Sequence, residues 1–411
     1  MKPLLGLAFA FAAVLVGLRA AEPATAGSGL GVTLLLSTQY AHTDIFYHTP
    51  SEFPPAFTRA DEIAPGQRLD VVVIARGYAV DAESQANVSY ELTIHKPDGT
   101  TLRLPNRVTI SEKKRVDPRH LLFPLNVASF STNPGDPAGE YRFEIAVRDE
   151  VNRATVSDSA RVRVSDSADP LPLPADTDVL RFLSDYYLRP RPRLALAALT
   201  AFSQSPYAQR KADGHGTLLG FYDRVLIDNP WLLPQFLTRI LATKDESERR
   251  ILALVLVYAK RNEPNFGSDL PRAVKNALAA ARKETLPLPS REPTVVGQLD
   301  LQWGAFLASG RFTPITELVA VVENYLPYRG KLEEFKKLAA KPKAMPLEPM
   351  KDVLLSSALW SLGSNAYQQK LVRYYLIGIE RAPETTPAVK SALREALAWQ
   401  PKENPSAPAA K

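Results

Sequence analysis

The chain contains no cysteine. Disulfides, thiolate metal sites, cysteine nucleophiles and cysteine lipidation are thereby excluded, and stability must come from apolar burial and hydrogen bonding alone. Methionine (3) and histidine (5) are scarce among the 411 residues, so soft and imidazole ligands are few. Beyond residue 18 no run is apolar and long enough to span a bilayer, which takes about 20 residues. Several signatures of chemistry are missing as well. Gly27-Ser28-Gly29 lacks the spacing of a serine nucleophile elbow. No glycine loop ends in Lys-Ser/Thr to cradle phosphate, and no Gly-x-Gly-x-x-Gly follows a strand. Paired carboxylates are many, but a sequence does not set their separation, so glycosidase chemistry stays open.

What is abundant is proline, 35 residues, gathered in short strings that punctuate rather than fill the chain. The first 21 residues read as a secretory signal: Lys2, an uncharged run from Leu4 to Leu18, then the small residues Ala20 and Ala21. An uncleaved anchor is the alternative. The expected location is therefore periplasmic or secreted, with no membrane span after cleavage. Residues 401–411 are expected to form a frayed Pro/Ala-rich tail. Charge is divided unevenly: residues 21–175 carry 15 basic and 20 acidic side chains, residues 176–411 carry 33 and 24, and the whole is +6. A basic rear half suits acidic partners such as phospholipid head groups or an anionic envelope polymer; because the charges are interspersed, a solvated surface is the preferred reading.

Between residues 30 and 167 the apolar rhythm has period two. Tyr141, Phe143, Ile145 and Val147 alternate with Arg142, Glu144, Ala146 and Arg148, which predicts a strand with one face in a core. Ala160, Val162 and Val164 predict its hairpin partner. Val88, Tyr90, Leu92 and Ile94 predict another strand, closed by the turn Pro97-Asp98-Gly99. Leu69 to Arg76 is apolar on both faces and should be central. Gly31 to Thr38 and Leu121 to Val127 are further candidates. About seven short strands argue for a β-sandwich.

The prolines of residues 168–176 mark a spacer, after which the period becomes 3.6. Val179, Leu180, Leu183 and Tyr187 share a helical face; Ile251, Leu252, Val255, Leu256 and Ala259 do so behind the acidic start Asp245 to Glu248. Thr313-Pro314 and Thr386-Pro387 place a capping residue before a first-turn proline. Gly310 should end one helix of a hairpin. Helix pairs are expected over 215–243, 347–380 and 386–399. The reading over 177–400 is an irregular all-α stack of helical hairpins, tetratricopeptide-like at most. The fold class expected is thus all-β followed by all-α.

The run Pro137-x-Gly139-x-Tyr141-x-Phe143-x-Ile145-x-Val147, a charged turn and a last alternating strand resemble the end of an immunoglobulin-like or fibronectin-III-like module. That resemblance covers about 135 residues and implies that Tyr141 bonds back to the preceding turn. The whole layout resembles secreted bacterial proteins with an immunoglobulin-like front and an all-α rear. It implies an envelope location and no particular activity.

Candidate sites follow from residue types. His42-x-Asp44-x-x-x-His48 would share one face of a strand and suit zinc, or else be loop histidines. Asp149, Asp158, Asp166 and Asp169 offer hard oxygens for calcium without matching an EF-type loop. His95 should face outward, and His215 between two glycines should mark a turn or helix start. No cofactor is expected. The one basic-aromatic patch is Tyr186, Tyr187, Arg189, Arg191 and Arg193, interleaved with Pro190 and Pro192, where alternating guanidiniums could grip anionic groups or simply be solvated. The function expected is non-enzymatic binding or scaffolding in the bacterial cell envelope through protein or peptide contacts. The alternative is a cell-wall or glycan-processing enzyme with the sandwich as targeting module. Nucleic acid is not expected as a partner of an exported chain.

Overall fold

A computed structural model describes residues 29–210, 212–263, 266–338 and 345–401. The signal segment and residues 402–411 of the tail lie outside the described residues. Two separate sheets come first. Strands β1 (Gly31–Ser37), β3 (Leu69–Arg76) and β7 (Ala128–Phe130) make one antiparallel sheet in the order β1-β3-β7. The other runs β2 (Glu62–Ile63), β9 (Thr155–Val164), β8 (Gly139–Asp149), β4 (Gln85–His95), β5 (Thr101–Arg103), with β6 (Val108–Arg115) also paired to β4.

The alternation in β8 fixes its register: Tyr141 lies opposite Val162 and Ile94 opposite Phe143, all buried. One core joins the two sheets, with Leu36, Val71 and Val73 from the first meeting Val88, Tyr90, Phe143 and Val147 from the second. The Tyr141 hydroxyl donates to the Pro137 carbonyl at 2.8 Å, tying strand to turn. Tyr141→Phe is expected to cost about 1 kcal/mol in a denaturant melt, the net worth of one such bond.

β3 is buried on both faces, as its composition predicts. Its second face, Val72 and Ile74, packs with Phe123 against Phe46 and Phe57. This second layer contradicts two sequence expectations. Residues 121–127 form no strand; Leu122 makes only an isolated bridge to Ala75. And a helix stands ahead of residue 165: α1 (His42–His48). It lies between β1 and β3 and packs on both the sheet and the helices behind, so the front part is not purely β.

Twelve α-helices follow among the described residues. α2 (Val179–Asp185), α3 (Pro192–Ser203), α4 (Gly216–Asp228), α5 (Leu233–Ala242), α6 (Glu246–Ala259) and α7 (Arg272–Ala281) enclose one core. α8 (Val296–Ser309), α9 (Thr313–Tyr325), α11 (Leu347–Gln368), α12 (Lys370–Arg381) and α13 (Pro387–Leu397) enclose a second, with the short α10 (Lys331–Lys336) beside α11. α8 is the shared wall: Leu301 and Ala308 face the first core, Leu299, Trp303 and Phe306 the second. Ala41 and Ile45 of the front segment also belong to the second core.

Caps agree with sequence at Asp245, whose carboxylate accepts from the Ser247 and Glu248 N–H groups, at Thr386, and at Gly310 with φ 68°. Thr313 caps nothing; α9 starts at Thr313 itself and its N-cap position is Phe312. Residues 386–399 hold one helix, not a pair. The proline spacer has no regular structure but is pinned, because the Leu171 N–H donates to the Arg193 carbonyl and Gln235 to the Ala168 carbonyl. No helix among the described residues is long and apolar enough to cross a membrane.

Candidate functional site

The chain's polar chemistry converges around α1. Seven residues at about 100° per residue send His42 to one side and Asp44 and His48 to another, so the shared strand face expected for the three does not exist. His42 turns to the sheet, where its Nδ1 lies 3.2 Å from Asp70 Oδ2 on β3. The Asp44 carboxylate accepts the Phe312 N–H at 2.9 Å, serving the entry of α9 that Thr313 leaves unserved. The His48 ring stacks on Phe312, centroids 3.8 Å apart. Among the described residues no group of three or more carboxylate or imidazole ligands converges on a metal-sized point. Asp149 and Asp158 instead hold backbone N–H groups of Ala79, Val151 and Leu34.

On the sheet side Asp70 is 2% exposed. It receives Arg68 through two bonds of 2.6 and 3.1 Å and the Ser129 hydroxyl at 2.9 Å, besides His42. Burial raises its carboxyl pKa, but bonds from His42 and Arg68 outweigh that and hold it below its ordinary value. An ionised carboxylate only accepts, so Nδ1 of His42 carries the proton. Nε2 of His42 is buried without a hydrogen-bond partner among the described residues. Tyr40, His42, Thr43, Arg68, Asp70 and Asn126 line a cavity of about 230 Å3 there. The Tyr40 hydroxyl and the Asn229 amide bond each other across the joint between sheet and helices. Beside them Asp228 takes Arg224 and, at 3.5 Å, Arg311.

On the helical side lies the larger concavity, a cleft of about 670 Å3. Its walls are the strap leaving α1 (Tyr47 to Glu52), α9, the end of α12 and the entry to α13. Phe312, Val319, Ala320, Ile379 and Val389 give it an apolar floor; Thr316, Glu323, Glu384 and Thr385 stand on its rim. The strap is held against α12: Phe53 stacks on Tyr374 at 4.3 Å and Glu52 pairs with Arg381. Gly378 makes the approach possible, since a Cβ there would lie 2.8 Å from the His48 carbonyl oxygen.

The basic-aromatic patch is dispersed. Tyr186 and Tyr187 are buried in different helical cores, and the Tyr187 hydroxyl donates to Gln369. Arg191 lies over the Phe182 ring. Arg193 ties the spacer to the helices through the Asp169 carbonyl and the Ser165 hydroxyl. Only Arg189 and Arg191 remain exposed, so the five residues do not form one surface. His95 pairs across strands with Glu144 at 2.7 Å, half-exposed as expected. His215 ends a 3-10 turn before α4, and its Nε2–H donates to the Arg210 carbonyl at 3.1 Å. The cleft escaped the sequence reading because its residues come from three distant segments, 47–52, 312–323 and 378–389. The one signal present is a glycine inside the helical pattern at 378.

No protein-family model and no curated protein matches the chain. Solved structures are similar to it in part. Spo0M, a sporulation control protein from Bacillus subtilis, is 14% identical over 34% of this chain and 50% of its own, with a TM-score of 0.21. A family 123 glycoside hydrolase from Clostridium perfringens is 13% identical over 35% of this chain and 28% of its own, TM-score 0.23. Salmonella alpha-2-macroglobulin is 9% identical over 90% of this chain and 27% of its own, TM-score 0.19. The chain spans half or less of the length of each, and likeness at these scores carries neither fold nor function over.

Proposed function

We propose that the chain is a non-enzymatic binding or scaffolding protein of the bacterial cell envelope, exported by its N-terminal segment, with residues 30–167 an immunoglobulin-like sandwich and the helical part the binding body. The observation that supports this most is the cleft itself. It is open and about 670 Å3 in volume. An apolar floor under a rim of hydroxyls and charges suits an extended peptide or a protein loop. The walls are already braced by the Phe53–Tyr374 stack and the Glu52–Arg381 pair, so little ordering is left for the partner to drive.

A photocrosslinking residue at Ala320 in the cleft should join the chain to a discrete envelope protein. Thr316→Trp, which fills the cleft with an indole, should abolish that product while leaving the thermal melt unchanged. Crosslinking that survives Thr316→Trp would reject the cleft as the binding surface.

The buried Asp70–His42 pair favours a second reading, the glycan-processing enzyme. A histidine with one nitrogen on an ionised aspartate keeps the other as a base. Turnover of cell-wall material by the purified chain, lost in His42→Ala, would replace the binding reading.

A further inference from the structure

Charge divides the two expected partner classes. Arg381 in the cleft is already paired with Glu52. The His48 imidazole is pushed below its ordinary pKa by burial, with Asp44 opposing more weakly, and adds no positive charge near pH 7. Glu323 on α9 and Glu384 before α13 are exposed carboxylates on the cleft rim. Neither has a hydrogen bond or ion pair among the described residues. In a chain whose net charge is +6, this cleft therefore carries negative charge that no cation among the described residues compensates.

We infer that the occupant of the cleft is a polypeptide segment of another protein that sets an apolar side chain on the floor and a lysine or arginine between Glu323 and Glu384. This rests on the binding function proposed above. The apolar floor of Phe312, Val319 and Ile379 supplies burial, which is indifferent to sequence. The two carboxylates supply the choice of partner: like charge is repelled, and a cationic side chain finds acceptors that no described residue occupies. The same charges turn away the phosphates or uronates of an anionic envelope polymer.

The probe is a displayed library of random twelve-residue peptides selected on the full chain. Wild type should enrich sequences with Lys or Arg next to an apolar residue. The selected peptides should bind Glu323→Gln/Glu384→Gln about tenfold more weakly, the sum of two partly exposed ion pairs. Raising salt from about 50 to about 500 mM should weaken wild-type binding and leave the double variant unchanged, because screening acts only on the charge part. Both replaced residues lack partners among the described residues, so an unchanged melt certifies the variant. Acidic or purely apolar winners, or winners whose binding survives the double variant but not Thr316→Trp, overturn the cationic partner and leave the cleft as a binding surface. Winners insensitive to Thr316→Trp, or no enrichment over it, overturn both.

Discussion

Asp70→Ala is expected to lower the unfolding free energy by about 3 kcal/mol, the scale for removing one partner of a buried ionic group. Three donors lose their acceptor at once: the Arg68 guanidinium, the Ser129 hydroxyl and His42 Nδ1. His42 is 2% exposed, so the loss of its acceptor leaves a largely desolvated N–H, which is costly. Arg68 is 42% exposed in its side chain; it can turn outward, and its share is small. The effect carries a pH signature. Asp70 has a folded pKa below its ordinary value of 3.8, so the stability it contributes is complete above the ordinary value and is lost as pH falls through the depressed folded one. Denaturant melts at neutral pH and in a series below about pH 4 should show the gap between wild type and variant closing at the acid end. A gap that is absent at neutral pH would show Asp70 to be protonated in the native protein and would remove the fixed tautomer of His42 with it.

How far the sequence reaches differs from element to element, for physical reasons. β8 and β3 were legible because the pleat forces period two onto any strand with one wet face, and uniform apolarity onto any strand with none. β3 shows why the second case is harder to use: its composition says that something covers its outer face, without saying what. The cover is Phe46 of α1 together with the loop residues Phe57 and Phe123, and α1 is what the sequence hides. His-Thr-Asp-Ile-Phe-Tyr-His is seven residues long, too short for 3.6 and 2 to be told apart, and it is rich in residues that favour strands. Its N-cap, Ala41, makes no side-chain bond, so no start signal marks it. Tyr186 and Tyr187 failed for a related reason. They occupy a single 3-10 turn (Tyr186–Leu188), where neighbours point apart, and only tertiary packing decides that each ring enters a different core. The arginines around them then serve local ends. The cleft was beyond reach altogether, since no spacing rule connects residue 48 to residues 316, 378 and 384.

Gly304 offers the sharpest test of how the helical part is assembled. Helix propensity alone says Gly304→Ala should stabilise α8 by about 1 kcal/mol. The structure says the opposite. A Cβ at 304 would lie 2.1 Å from the Thr217 carbonyl oxygen and 2.5 Å from the Phe221 nitrogen, both backbone atoms of α4 that no rotamer change can move. The closeness is mutual: a Cβ at Gly220 would lie 2.1 Å from the Leu301 oxygen, and one at Gly216 2.3 Å from the Gly297 oxygen. α4 and α8 thus meet backbone to backbone along a line of glycines, and one methyl group must push the helices apart. Forcing a methyl into a packed interior typically costs about 1–3 kcal/mol, and here the displaced element is the wall of both cores. A net loss of about 2 kcal/mol is therefore expected, with Leu301 and Ala308 drawn from one core and Trp303 and Phe306 shifted in the other. Gly304→Val, with two more carbons at the same place, should be worse and should change the tryptophan emission of the native state through Trp303. A melt in which Gly304→Ala gains stability would mean that α4 and α8 stand further apart than these distances allow, and that the two helical cores do not share a wall.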